Sequence, residues 1–129
     1  MKRVLTLGTF DVFHVGHLRI LERAAALGDW LVVGVSTDAL NVRKKGREPV
    51  YPQEERIEIV RSLRCVNEAF FEESLEERES YVRRSRADVL VTGDDRAEYF
   101  AGLRGVCEVV VFPRTPSVST TALIERIRR

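Results

Sequence analysis

The chain has 129 residues, 44% hydrophobic and 32% charged, with a formal net charge of +1. That is the length of one globular domain able to bury its own core, and so small a charge argues against a nucleic-acid binder held by bulk electrostatics. No apolar run is long enough to span a bilayer, and Met1-Lys2-Arg3 leads into a strand pattern rather than a signal-peptide core, so a cytoplasmic protein is expected.

Val4 to Leu7 reads as an apolar strand broken only by Thr6. A helix is expected from about Val15 to Leu27, with Leu18, Ile20, Leu21, Ala24 and Ala25 on its apolar face and Gly28 at C′. Trp30 to Val35 is a second strand, apolar without alternation, as when both faces are covered. Residues 37–51 read as a long polar loop carrying Arg43, Lys44, Lys45 and Arg47. Pro52 opens a helix with Glu54 and Glu55 near its positive end and Ile57, Val60 and Leu63 inward.

Val66 to Phe71 is a third strand. Ser74 to Glu77 has capping-box spacing and starts a helix to about Arg86. Asp88 to Thr92 is a fourth strand, followed by Gly93-Asp94-Asp95 and a short helix with capping-box spacing from Asp95 to Glu98. Val106 to Phe112 is the fifth strand, and a last helix near Ser119 carries Leu123, Ile124 and Ile127. Cys65 and Cys107 lack any CxxC partner and are expected to be small buried residues near strands.

Strict β-α alternation implies one α/β domain over residues 1–129, with a five-stranded parallel sheet and helices on both faces. Such sheets bind ligands beyond the carboxyl ends of their strands. Four polar clusters follow strand ends, at residues 8–17, 37–47, 93–95 and 114–121, and are expected to converge on one rim.

The first cluster, Gly8-Thr9-Phe10-Asp11-Val12-Phe13-His14-Val15-Gly16-His17, joins a strand to a helix N-terminus, where an anion is most easily held. Three readings of the histidine pair stand. One ring caps the helix and the other packs; or both ligate a metal with a third residue, against the usual i, i+4 spacing of zinc helices; or both imidazoles donate to phosphate, with Gly16 admitting it close to the backbone. Ser119-Thr120-Thr121 offers an N-cap, but three hydroxyls after Arg114 and Thr115 favour contacts to a terminal phosphate. No nucleophile elbow or P-loop is present. A site rich in donors suits nucleotidyl transfer, which asks mainly for in-line positioning and charge stabilisation.

Gly8-Thr9-Phe10-Asp11 with His14-Val15-Gly16-His17 resembles the GTFD…HxGH signature of the nucleotidyltransferase superfamily. Arg114-Thr115 with Ser119-Thr120-Thr121 resembles the RTxGxSTT signature of its cytidylyltransferase branch. Leu21-Glu22-Arg23-Ala24, Ser36-Thr37-Asp38, Arg56, Gly93-Asp94-Asp95 and Cys107-Glu108-Val109-Val110 extend the likeness to the glycerol-3-phosphate cytidylyltransferases over essentially the whole chain. The resemblance implies a Rossmann-like fold and a homodimer. It implies transfer of CMP from CTP to sn-glycerol 3-phosphate, with Mg²⁺, giving pyrophosphate and CDP-glycerol, a cell-wall polymer precursor. It assigns His14, His17 and Arg114 to catalysis, and Thr9, Phe10, Gly16, Asp94, Thr115, Ser119, Thr120 and Thr121 to the nucleotide. Asp11, Lys44, Arg56 and Arg78 fall to the acceptor.

Three positions depart from the pattern: Ser117 stands for glycine, Gly46 for a lysine that Lys45 or Arg47 would replace, and Arg96 for tryptophan. Two further readings therefore remain. The same scaffold serves adenylyl transfer to a phosphorylated cofactor precursor such as FMN, or a nucleotide-binding subunit without turnover.

Overall fold

The computed structural model describes residues 1–93, 97–113 and 120–128. The strands are β1 (Arg3–Gly8), β2 (Trp30–Ser36), β3 (Glu68–Glu72), β4 (Val89–Gly93) and β5 (Glu108–Phe112). The helices are α1 (Val15–Ala25), α2 (Asp38–Lys45), α3 (Gln53–Arg61), α4 (Arg78–Arg84), α5 (Ala97–Phe100, followed by a 3-10 turn over Ala101–Leu103) and α6 (Thr120–Arg128). All pairings are parallel and the sheet order is β3-β2-β1-β4-β5. The winding reverses between β1 and β4, and ligands of such sheets bind outside that switch point.

Alternation along β1 splits the core in two. Val4 joins Leu31, Val33, Val35, Val89 and Val91 under Leu21 and Ala24 of α1 and Ile57 and Val60 of α3. Leu5 and Leu7 join Val32, Leu90 and Val109 on the other face, under Tyr81 and Val82 of α4, Phe100 and Leu103. Both faces are thus covered, as the unbroken apolar strands require. Cys65 and Cys107 are free and only partly buried, one against each core, and burial raises both thiol pKa values.

Residues 37–51 do not form one long loop. Residues 38–45 are helical because the Thr37 hydroxyl accepts from the Leu40 N–H, Leu40 is buried, and Gly46 closes the helix at φ 76°. Conversely, no capping box starts at Ser74. Its hydroxyl accepts from the Glu76 N–H and donates to the Glu76 carboxylate, and α4 begins only at Arg78. The third and fifth strands also start two residues later than the apolar runs suggest.

Helix α1 ends at Ala26 in right-handed geometry, so Gly28 is not its left-handed cap. Gly28 is required by close approach instead: a Cβ there would sit 2.6 Å from the Lys2 carbonyl oxygen. No residue of α6 is buried, and Ile127, expected inward, is 74% exposed. Among the described residues no helix is long and apolar enough to cross a membrane.

Candidate active site

A cavity of about 540 Å³ opens at the carboxyl ends of β1 and β4. Its wall draws on Gly8 to Asp11, His14, Gly16 and His17, on Asn41, Lys45 and Arg47, on Thr92 and Gly93, and on Thr120 and Thr121. The expected convergence of the polar clusters therefore holds wherever they are described. Arg114, Thr115, Ser117 and Ser119, with Asp94 and Arg96, lie outside the described residues.

The turn after β1 is shaped by unusual backbone. Gly8 leaves room for Phe10 to fold back, since a Cβ there would come within 3.0 Å of the ring. Phe10 and Val12 adopt left-handed conformations at φ 56° and 46°, which cost of order 1 kcal/mol or more for side chains of this bulk. Burial of the Phe10 ring and a web around Asp11 offset that cost. Asp11 Oδ1 accepts from the Val12 and Tyr51 N–H groups, and its Oδ2 accepts from the Val50 N–H at 2.7 Å. Asp11 lines the cavity, but it also ties the segment after α2 to the turn.

His14 is the N-cap of α1, and both rings take part in its first turn. His14 Nδ1 accepts from the Gly16 N–H at 3.0 Å, and His17 Nδ1 accepts from the His14 N–H at 3.2 Å. The rings stack at 3.9 Å between centroids, with Phe10 edge-on to His17. An Nδ1 that accepts carries no proton, so each neutral ring holds its hydrogen on Nε2. The capping and donor readings thus coexist: one nitrogen caps, and the other is left to donate. His14 Nε2 lies 3.4 Å from Thr120 Oγ1, whose own hydrogen goes to the Asp11 carbonyl at 3.1 Å. Early imidazoles and late hydroxyls meet across one crevice. Among the described residues no three His, Cys, Asp or Glu side chains are grouped to hold a metal.

Both imidazoles are held neutral. Burial lowers the His14 pKa, and burial followed by the neighbouring His14 lowers that of His17 to about 4. The unfolded chain would bind a proton at His17 below pH 6.5, while the folded chain would not until about 4. This contribution to stability is therefore complete above pH 6.5 and is lost as pH falls towards 4. Unfolding titrations should show wild type losing up to about 3 kcal/mol more than His17→Gln across that window; parallel pH profiles would refute the neutral assignment.

Three expected acceptor residues do not line the cavity. Arg56 is fully buried. Its Nη1 donates to the Thr9 and Ser36 carbonyls, its Nε to Tyr51 O, and its Nη2 to Asp38 Oδ1 at 2.6 Å. It is a tie between the ends of β1, β2 and the α2–α3 connection rather than a ligand-facing base. Lys44 Nζ donates to Ser36 Oγ, which in turn donates to the buried Glu72. Arg78 donates to the Leu75 carbonyl. In place of the lysine missing at Gly46, both Lys45 and Arg47 border the cavity. Asn41 borders it too; the polar loop expected over residues 37–51 gives it no such place, whereas α2 does.

A family model described as cytidylyltransferase-like matches residues 5–126. The chain is 42% identical over 127 residues to the glycerol-3-phosphate cytidylyltransferase of Bacillus subtilis (strain 168), covering 98% of each chain. It is 37% identical over 127 residues to the protein of the same name from Staphylococcus aureus (strain NCTC 8325 / PS 47), covering 98% of this chain and 96% of that one. Among solved structures, a lipopolysaccharide core biosynthesis protein from Thermoplasma volcanium GSS1 superposes with a TM-score of 0.74 at 27% identity, covering 89% of this chain and 97% of that one.

Proposed function

The chain belongs to the cytidylyltransferase-like family, and we propose that its cavity transfers CMP from CTP to glycerol 3-phosphate or a close polyol phosphate, giving CDP-glycerol and pyrophosphate. The full-length likeness to glycerol-3-phosphate cytidylyltransferases supports the substrates. The observation that carries the chemistry is the meeting of His14, stacked on His17, with Thr120, at the N-terminal ends of α1 and α6.

A phosphate monoester has a second pKa of about 6 and is mostly dianionic at neutral pH. Such an acceptor needs no general base. Its oxygen bonds to the α-phosphorus of CTP as the bond to pyrophosphate breaks in line, and charge builds on the nonbridging oxygens. The two Nε2–H groups donate to those oxygens, fixed beforehand by the bonds at Nδ1. Thr120 and Thr121 at the start of α6, with Arg114, Thr115, Ser119 and Asp94, hold the nucleotide. Lys45 and Arg47, which also border the cavity, add positive charge for the anionic substrates. Asp11 bounds the acceptor side, and Lys44 and Arg78 reach the acceptor only if their present bonds are exchanged for it. Mg²⁺ belongs to this reading as an ion that would enter with the nucleotide and would supply positive charge for the phosphates. The enzyme would work in the cytoplasm as a homodimer supplying a cell-wall polymer precursor.

Pyrophosphate release should follow addition of CTP, Mg²⁺ and glycerol 3-phosphate. No release across a panel of polyol phosphates would overturn the reaction. A preference for ATP over CTP of tenfold or more would overturn the nucleotide and favour adenylyl transfer.

A further inference from the structure

Thr9 and Asn41 border the cavity side by side, and the bonds between them have only one consistent direction. Thr9 Oγ1 donates to Asn41 Oδ1 at 2.9 Å. Asn41 is 1% exposed. Its Nδ2 donates to the Thr37 carbonyl at 2.9 Å and to the Ser36 carbonyl at 3.4 Å. Flipping the amide would face Oδ1 against two carbonyl oxygens, so its orientation is fixed. The single hydrogen of the Thr9 hydroxyl is therefore committed to Asn41. Arg56 holds the same residue from the other end, through the Thr9 carbonyl at 2.8 Å.

Towards the cavity, Thr9 Oγ1 can then only accept. Elsewhere on the described wall stand further donors: the two imidazole Nε2–H groups, Lys45, Arg47 and Arg128. Asp11 already receives three backbone N–H groups; among the described residues of the wall, Glu48 and Glu125 are exposed, as Lys45, Arg47 and Arg128 are. A phosphate oxygen would be repelled at Thr9, whereas a hydroxyl would complete it. We infer that Asn41 is a positioning residue that makes Thr9 a reader of a substrate hydroxyl. The inference rests on the cavity being the substrate site proposed above. Two sources share this chemistry, the ribose of the nucleotide and the polyol of the acceptor.

The test compares CMP transfer rates in matched pairs: CTP against its 2′-deoxy and 3′-deoxy forms, and glycerol 3-phosphate against 3-hydroxypropyl phosphate. Wild type should reject one deoxy compound by roughly tenfold or more in kcat/KM, because its binding leaves a buried acceptor unpaired. Asn41→Leu and Thr9→Val should shrink that one ratio to near unity and leave the other ratios in place, while Thr9→Ser keeps it. Which pair responds identifies the source. Ratios of one throughout wild type, or ratios unchanged in both variants, would overturn the inference, as would a uniform loss on every substrate. Should wild type turn over nothing, the proposed reaction fails. The same ratios are then read as equilibrium affinities by calorimetry, and flat affinities sink the inference separately.

Discussion

His14→Asn should lower kcat/KM by about 10²-fold or more, the scale on which one positioned donor to a developing oxyanion acts. Asparagine separates the two jobs of this side chain. Its Oδ1 can accept from the Gly16 N–H as Nδ1 of the imidazole does, and asparagine is among the best N-caps. The helix start is preserved, and the thermal midpoint should stay within a few degrees. What asparagine lacks is a hydrogen at the position of Nε2, 3.4 Å from Thr120. Steady-state kinetics together with a melting curve check both halves. A rate equal to wild type would remove His14 from the chemistry. A large fall in melting temperature would mean that the cap, rather than the donor, had been disturbed.

Arg56→Met should be the most destabilising of the substitutions considered, by about 3–5 kcal/mol, as expected when one partner of a buried ion pair is removed. Methionine fills much of the volume but donates nothing. The carbonyls of Thr9, Ser36 and Tyr51 and the Asp38 carboxylate would all lose a charged donor. In a domain of this size the midpoint should drop by roughly 10 °C or more. Arg56→Lys should recover little, since one ammonium on a flexible stem cannot reach the four acceptors of a planar fork. The same experiment separates a structural tie from a ligand of the acceptor. A ligand of the acceptor phosphate would show an unchanged midpoint and a raised KM for the acceptor alone. The tie seen here predicts a lower midpoint first.

Much of the fold was legible because it rests on short-range patterning. Four apolar runs and the segment Val66 to Phe71 alternate with helix signals, and that alone implies parallel strands with crossovers. The α2 helix was missed although its signals were present, a Thr at the N-cap and a Gly at C′. Its composition of asparagine, arginine and lysine outweighs them, and burial of Leu40 and Asn41 adds the tertiary support to the two caps. Ser74 shows the opposite failure. Its spacing to Glu77 fits a capping box, but the neighbouring Glu76 side chain, also paired with Arg43, captures the hydroxyl first.

The sequence by itself determined the alternation, the clusters at the strand ends and the identity of the donor-rich junctions, because periodicity and helix-start chemistry are local. Only the tertiary structure decided what each polar group faces. It turned Arg56 inward onto three carbonyls, bound Lys44 to Ser36, and oriented Asn41 so that its Oδ1 accepts from the Thr9 hydroxyl. It also put both histidine hydrogens on Nε2 by occupying Nδ1. A side chain's partner depends on which distant segment the sheet brings beside it, and a hydrogen's place depends on that partner; neither is written in the spacing of residues along a chain.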